Sequence, residues 1–186
     1  MIPVKVTTQT TLLVVDVQER LLSVMGEDGA RVAAQASTLV ALAGAFGAEI
    51  VYTEQYPKGL GPTHAGLKAE LEEVGASYVD KVHFDALGAP DFAERAGALA
   101  PRVVLCGMET HICVLATARS LIELGHEVLV PFDAVCSRYA DHKSNGLEQL
   151  RRAGALITNT ETLVFGTLGH AKHPEFKRFS KRIAAT

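Results

Sequence analysis

The sequence predicts an α/β protein in which helices cover both faces of a parallel β-sheet. Short apolar runs alternate with amphipathic helical segments along the 186 residues. Strand, helix and strand in that order favour parallel pairing through a crossover helix. The first apolar run, TTLLVVDV at 10–17, does not alternate between polar and apolar residues. Such a run is typical of a strand that is buried on both faces.

The next elements continue the same alternation. Residues 29–46 place apolar side chains at spacings of three and four, which predicts a long helix that ends before Gly47. The segment EIVYT at 49–53 predicts the second strand, and the irregular loop EQYPKGLGPTHAG follows it. A short helix is expected at 67–74, and the alternating segment SYVDKVH at 77–83 predicts a third strand.

The second half of the chain repeats this pattern. It predicts helices at 90–99, 141–153, from Thr160 and at 174–184, and strands at 103–106, 127–132 and 155–158. No linker, internal repeat or low-complexity block separates these segments. We therefore expect one domain over residues 1–186, long enough to bury a full core.

Composition restricts the classes of partner. A net charge of −3 without a basic region indicates no nucleic-acid or membrane-surface partner. No apolar run approaches the ~20 residues that a membrane span needs, and MIPVKVTTQT lacks the apolar core of a signal peptide. Three cysteines without a CxxC pair do not predict a disulfide framework. We expect a cytoplasmic protein with reduced thiols.

Cys113 is the candidate nucleophile. In the segment RVVLCGMETHICVLATAR an apolar strand is followed by a turn at Gly107 and a helix, for which Thr110 is the expected N-cap. Unpaired N–H groups at that helix end would hold an oxyanion and lower the pKa of the thiol below its usual ~8.5. The alternative is that Cys113 is a small buried apolar residue at a helix start.

Two charged residues interrupt predicted strands. Asp16 lies near the carboxyl end of the first strand, where parallel sheets bind ligands, although it could equally cap the following helix. Lys81 lies in the third strand and is either functional or a solvent-facing lysine on an edge strand. His83 would share a strand face with Lys81 and is a rival candidate for the base.

These segments together resemble a known family. The motifs are LLVVDVQ with Asp16 and Gln18, DKVHFDAL with Lys81, and the G-x-x-T-x-x-C-V pattern around Cys113. In this order and spacing they resemble the isochorismatase-like cysteine hydrolases, which include nicotinamidases and N-carbamoylsarcosine amidohydrolase. The segments TEQYPKGLGPT, GMETHICV and AKHPEFK look like the branch of isochorismatase domain-containing proteins.

The resemblance implies a Rossmann-like three-layer αβα fold with a six-stranded parallel sheet. It also implies a catalytic triad in which Asp16 takes the proton of Cys113 while Lys81 stabilises the thiolate and orients the carboxylate. A non-proline cis peptide is implied between Met108 and Glu109. It would aim the Glu109 N–H, together with the Cys113 N–H, at the developing oxyanion.

The resemblance also bears on ligands and assembly. Nicotinamidases carry an Asp/His metal set after the second strand, whereas this chain has only His64 there. We therefore expect no bound zinc or iron, and no cofactor. Relatives assemble, and 48% hydrophobic composition is high for one small core, so we expect a homo-oligomer, either a dimer, a tetramer or a larger assembly. The residues expected to line a pocket for a small-molecule substrate are Gln18, Gln55, Tyr56, Phe84, His111 and Ile112.

The favoured function is a metal-independent cysteine hydrolase that cleaves a small amide or related C–N bond through a thioester. A second hypothesis is a non-enzymatic module in which Cys113 is a redox-sensing or partner-binding thiol. A third is a vinyl-ether hydrolase acting on isochorismate. Relatives with that activity do not depend on the cysteine, so the presence of Cys113 argues against it. The residue types name no particular substrate.

Overall fold

A parallel β-sheet runs through the centre of the protein, and the computed structural model describes residues 4–185 around it. The strands lie in the order β3-β2-β1-β4-β5-β7, β6 pairs with the end of β4, and all these pairs are parallel. Their bounds are β1 (Thr10–Val15), β2 (Glu49–Gln55), β3 (Ser77–Lys81), β4 (Arg102–Met108), β5 (Glu127–Pro131), β6 (Val135–Cys136) and β7 (Leu156–Thr158).

Helices cover both faces of this sheet. Their bounds are α1 (Glu19–Leu22), α2 (Glu27–Ala45), α3 (Pro57–Leu60), α4 (Ala65–Glu73), α5 (Pro90–Ala96), α6 (Leu115–Glu123), α7 (Ala140–Ala153), α8 (Thr160–Leu168) and α9 (Phe176–Ala184). A 3₁₀ turn covers Ala86–Gly88, and a π-helical turn covers Thr110–Val114 directly before α6. None of the helices within 4–185 is long and apolar enough to cross a membrane.

Two hydrophobic cores lie on opposite faces of the sheet. In β1, Leu12 and Val14 face the core formed with α2, α4, α8 and α9. Leu13 and Val15 face the core formed with α5, α6 and α7. Since successive strand residues point to opposite faces, a strand covered on both sides must be apolar at every position. The predicted three-layer fold with a Rossmann-like parallel sheet is confirmed.

The structure differs from the predictions mainly at element ends. The first strand stops at Val15, and Asp16 follows it with a positive φ of 54°. The third strand stops at Lys81, two residues earlier than expected. A seventh strand, β6, was missed because two residues are too few to show a periodic pattern. The short helices α1 and α3 were missed for the same reason.

Gly107 allows β1 and β4 to approach closely at their carboxyl ends. It lies opposite Val15 in the register of the two strands and has a φ of 118°. A Cβ atom at this position would lie 1.9 Å from the carbonyl oxygen of Val15. Only glycine fits so close to a neighbouring backbone. This contact brings the turn after β4 next to Asp16.

Candidate active site

Three side chains from distant parts of the chain meet at the carboxyl edge of the sheet. Asp16 follows β1, Lys81 ends β3, and Cys113 lies in the π-helical turn after β4. The Lys81 Nζ lies 2.7 Å from Asp16 Oδ2, and neither side chain is exposed to solvent. The Cys113 thiol lies close enough to both that their charges shift its pKa. The three residues that the sequence motifs singled out therefore form one buried cluster.

Asp16 is fixed from two sides. Its Oδ1 accepts a hydrogen bond of 2.6 Å from the Thr53 hydroxyl, and its N–H donates to the Thr53 carbonyl at 3.1 Å. Its positive φ is one that aspartate tolerates better than most residues. Helix α1 has Gln18 at its N-cap, so Asp16 does not cap it. Its carboxylate is instead directed at Lys81 and Cys113.

Lys81 is buried although β3 is the edge strand of the sheet. Besides Asp16, its ammonium reaches Gln55 Oε1 at 2.7 Å and the carbonyl oxygens of His83 and Phe84 at 3.3 and 3.4 Å. A buried ammonium requires acceptors for its three N–H groups, and these atoms supply them. The alternative of a solvent-facing edge lysine is therefore wrong.

His83 contributes its backbone rather than its ring. It lies beyond the end of β3, its side chain is exposed, and it packs close to Gly88. The shared strand face with Lys81 that made it a rival base is therefore absent. The carboxylate of Asp16, whose charge acts on the Cys113 thiol, is the better-placed proton acceptor.

The Cys113 thiol is neutral at rest. Burial raises its pKa to about 12, the nearby Asp16 carboxylate acts in the same direction, and Lys81 opposes both. The expectation of a lowered pKa is wrong because removal from water and a neighbouring anion outweigh the helix end. Formation of a thiolate at this position would require a neighbouring group that accepts the proton.

Thr110 is not the N-cap of the turn that carries Cys113, contrary to the expectation from the sequence. Glu109 occupies the N-cap position without a side-chain capping bond, and a π-helical turn follows it. The Thr110 hydroxyl is buried and has no hydrogen-bond partner among the described residues. Turns of the π type often occur at functional sites.

Hydrogen bonds fix both the side chain and the backbone carbonyl of Glu109. The peptide bond between Met108 and Glu109 is cis, at the position that the resemblance implies. The Glu109 carboxylate accepts from the N–H of Arg138 at 2.9 Å and from its Nε at 3.3 Å. The Glu109 carbonyl accepts from the N–H groups of Ile112 and Val114 at 3.0 and 3.3 Å. Glu109, which lies between β4 and the turn that carries Cys113, is thus firmly oriented.

Two of the residues expected in the pocket have structural roles. Gln18 is fully buried. Its Nε2 donates to the carbonyls of Gln55 and Gly61 at 3.1 and 2.6 Å, and its Oε1 accepts from the Gln55 N–H at 2.7 Å. Gln18 therefore does not line a pocket. Gln55 presents its Oε1 to Lys81 while its Nε2 donates to the Val82 carbonyl at 2.8 Å, so it orients the lysine.

The other expected pocket residues are more accessible. Tyr56 and Phe84 are 54% and 61% exposed and flank Lys81, since the Tyr56 N–H donates to the Lys81 carbonyl. His111 is partly buried, with its Nδ1 2.9 Å from the Ser137 hydroxyl and its ring 4.7 Å from that of His142. Burial lowers the pKa of His111. Ile112 is partly buried beside the nucleophile turn.

Sequence reasoning missed Thr53 and Arg138. In the parallel register Thr53 lies opposite Val15, so a hydroxyl at the end of the second strand could have been placed beside Asp16. Arg138 follows a strand too short to be predicted, and the sequence holds no signal that pairs it with Glu109.

Within 4–185 no group of three or more His, Cys, Asp or Glu side chains is arranged to hold a metal ion. His64, the residue considered as a remnant of a metal set, lies with its Nδ1 3.0 Å from Glu19 Oε1 at the start of α4. The Glu19 carboxylate therefore orients the His64 ring at the start of α4.

Comparison with known proteins gives a family for the chain. The isochorismatase domain matches residues 10–162. The secreted isochorismatase effector Isc1 of Phytophthora sojae is 36% identical over 151 residues, which cover 79% of this chain and 71% of that protein. Isochorismatase domain-containing protein 2 of Bos taurus is 35% identical over 153 residues, which cover 82% and 73%.

Solved structures agree with this match. The MAR1 ribonuclease from Caenorhabditis elegans superposes with a TM-score of 0.87 at 34% identity and covers 96% of this chain and 91% of its own. The YcaC gene product from Escherichia coli shares the fold, with a TM-score of 0.81 at 22% identity over 97% and 96% of the two chains. The chain therefore belongs to the isochorismatase family and is a hydrolase.

Proposed function

We propose that the protein is a metal-independent cysteine hydrolase that cleaves a small amide or a related C–N bond through a thioester. Asp16, Lys81 and Cys113 form its catalytic triad. The observation that carries the proposal is the buried Asp16–Lys81 ion pair, which is excluded from solvent and lies close enough to the Cys113 thiol to act on its pKa. A thiol beside a carboxylate supplies a nucleophile and the base that activates it.

The first half of the reaction forms the thioester. The thiol proton passes to the Asp16 carboxylate as sulfur bonds to the substrate carbonyl carbon, and the carbonyl electron pair moves to oxygen. When that pair returns, the C–N bond breaks and Asp16 gives its proton to the departing nitrogen. Lys81 remains an ammonium and offsets the negative charge that passes between sulfur and carboxylate.

The second half releases the acid. Water adds to the thioester carbon and gives one proton to Asp16, after which the C–S bond breaks and sulfur recovers that proton. In both halves the Glu109 and Cys113 N–H groups hold the oxyanion. Loss of one such donor typically costs on the order of 3–4 kcal/mol of transition-state stabilisation. The Arg138 bonds to the Glu109 carboxylate support this assignment because they fix the Glu109 peptide.

The test is ammonia or amine release from a panel of small amides. Wild-type protein should turn over at least one of them, and Cys113→Ser should reduce kcat by at least about 10³-fold. Circular dichroism and the melting temperature should show that the variant still folds. Turnover retained by Cys113→Ser would reject the mechanism. A thioester adduct on the Cys113 peptide, weighed by mass spectrometry, would identify the acyl group.

Two further substrates belong in the same assay. RNA is included because the C. elegans relative is called a ribonuclease, and isochorismate because of the family name. RNA or isochorismate turnover that survives Cys113→Ala would replace the amide proposal. Amide turnover that requires Cys113 would support it.

We further propose that the protein is a homo-oligomer. The E. coli protein that shares its fold is described as an octameric hydrolase. Among residues 4–185, nine large apolar side chains are exposed, including Val82 and Phe84. Sedimentation velocity at micromolar concentration should give a dimer or a larger species. A monomer would contradict this proposal.

We also predict a single domain over residues 1–186. We predict a cytoplasmic location, which is consistent with the free thiols of Cys106, Cys113 and Cys136. The P. sojae relative is named a secreted effector, so fractionation of cells is the measurement that decides.

A further inference from the structure

The position of the Lys81 ammonium depends on the loop that follows β3. Lys81 has three N–H groups, and the side chains of Asp16 and Gln55 each accept one of them at 2.7 Å. The third N–H points between the carbonyl oxygens of His83 and Phe84, at 3.3 and 3.4 Å. The last contacts of the ammonium are therefore made by backbone, which can hold it only if the loop itself is held.

The start of this loop is held by the site. The Gln55 Nε2 donates to the Val82 carbonyl at 2.8 Å, and the Gln18 amide fixes Gln55 in turn. The exposed side chains of Val82, His83 and Phe84 contribute no apolar anchor to the core. The far end of the loop therefore needs a separate attachment.

That attachment is to helix α6. Asp85 follows Phe84 directly, and its Oδ2 accepts a hydrogen bond of 2.6 Å from the Ser120 hydroxyl. Its Oδ1 accepts from the Leu87 N–H at 2.9 Å and so starts the 3₁₀ turn. The Ala86 N–H donates to the Thr117 hydroxyl at 3.0 Å, where Thr117 is fully buried. Thr117 and Ser120 are three residues apart and share one face of α6.

Helix α6 continues the turn that carries Cys113. The continuous helical segment formed by the π-helical turn and α6 therefore carries Cys113 near its start. One to two turns later it carries the Thr117 and Ser120 hydroxyls, which bind the loop after β3. The loop that contacts the Lys81 ammonium is consequently tied to the same helical element that carries the thiol.

We propose that Asp85, Thr117 and Ser120 are positioning residues: they lock the loop after β3 onto α6 so that the His83 and Phe84 carbonyls hold the Lys81 ammonium beside Cys113. None of the three needs to touch the substrate. The proposal rests on the proposed function for its catalytic consequence, but its structural part can be tested without turnover.

The matched pair of variants is Ser120→Ala and Ser37→Ala. The Ser37 hydroxyl donates to Glu70 Oε2 at 2.6 Å, the same length and chemistry as the Ser120 bond to Asp85, and both bonds are partly buried. The Ser37 bond joins α2 to α4 on the other face of the sheet. The Ser37 hydroxyl also accepts a hydrogen bond of 3.1 Å from Arg182 Nη1. The control therefore removes at least as much hydrogen bonding as Ser120→Ala, but far from Lys81.

The readout is the ¹H–¹⁵N signal of the Lys81 ammonium in protein labelled with ¹⁵N-lysine, assigned by its loss in Lys81→Met. Wild-type protein should show this signal because the ammonium is buried and its protons are held. Ser120→Ala and Asp85→Ala should broaden or shift it. Asp85→Asn, which can still accept from Leu87 and pair with Ser120, should largely preserve it. Ser37→Ala should leave it unchanged.

Kinetics provide the second readout. On any amide that the wild-type protein hydrolyses, Ser120→Ala should lower kcat about tenfold while KM stays within about twofold. Ser37→Ala should keep both within about twofold. If no amide is hydrolysed, the proposed function fails while the Lys81 signal still decides this inference. An unchanged Lys81 signal in Ser120→Ala, an equal change in Ser37→Ala, or no signal in wild type would overturn it.

Discussion

At the scale of residues, the buried Asp16–Lys81 ion pair carries a high desolvation free energy and supplies the charged groups of the proposed triad. Removing two charges from water costs several kcal/mol for each ion, and their attraction offsets this only when the remaining polar atoms are also paired. Thr53 and Gln55 supply those bonds. The pair is therefore tolerated by the fold, and we expect its main contribution to be to the proposed chemistry rather than to stability.

This view predicts a non-additive effect on stability. Lys81→Met should lower the free energy of unfolding by about 3–5 kcal/mol because it leaves the Asp16 charge buried alone. The double variant Asp16→Asn/Lys81→Met removes both charges and should regain most of that loss, although it remains inactive. Asparagine is chosen because it tolerates the positive φ at position 16. Urea unfolding measures the effect, and a double variant as unstable as Lys81→Met would contradict it.

At the scale of elements, the unit formed by β4, the π-helical turn and α6 organises the site. It pairs with β1, carries Glu109 and Cys113 in its turn, and holds the loop after β3 through α6. Each side chain of the proposed triad is thus placed relative to this one unit. Small changes where the unit contacts β1 should therefore have large effects.

Gly107→Ala is the sharpest such change. The new Cβ would clash with the Val15 carbonyl, and the φ of 118° is unfavourable for alanine. We expect a loss of about 3 kcal/mol or more in the free energy of unfolding. The control is Gly97→Ala at the end of α5, where φ is −71° and no atom lies within 4 Å of a new Cβ. That change should stabilise by about 0.4–1 kcal/mol. Equal effects of the two substitutions in urea unfolding would refute the expectation.

At the scale of the whole molecule, all three thiols are buried in the fold. Burial raises the pKa of Cys106, Cys113 and Cys136 to about 12, from an ordinary value of 9.0. For Cys113 the Asp16 carboxylate adds to this effect. In alkaline solution the unfolded chain therefore releases these protons while the folded chain keeps them.

The consequence is a loss of stability as the pH rises. Because the thiol pKa values are raised in the folded state, their full contribution to the free energy of unfolding is present below about pH 8.5, the pKa of a thiol in the unfolded chain. This contribution is lost as the pH rises from the unfolded to the folded pKa. We expect the free energy of unfolding to fall by about 1 kcal/mol per pH unit for each thiol above pH 9. Urea unfolding at pH 8 and pH 10 measures this. Cys136→Ala should give a shallower slope, and equal values at the two pH values would contradict the account.

The sequence by itself determined the layered fold and the three residues that meet in the site. Hydrophobic periodicity is local, so runs such as TTLLVVDV and residues 29–46 identified strands and helices correctly. The fold class then followed from their alternation. Asp16, Lys81 and Cys113 stood out as a charge or a thiol in or near an apolar element. That they act together was implied by the resemblance to the isochorismatase-like hydrolases.

Only the tertiary structure decided how these residues behave. The sign of the Cys113 pKa shift, the buried state of an edge-strand lysine, the π-helical turn at Thr110 and the roles of Thr53, Gln55 and Arg138 all depend on groups that are distant in sequence. The physical reason is that burial and electrostatic interactions act through space. A helix end favours the thiolate locally, but removal from water and the Asp16 charge act on the same atom and are stronger.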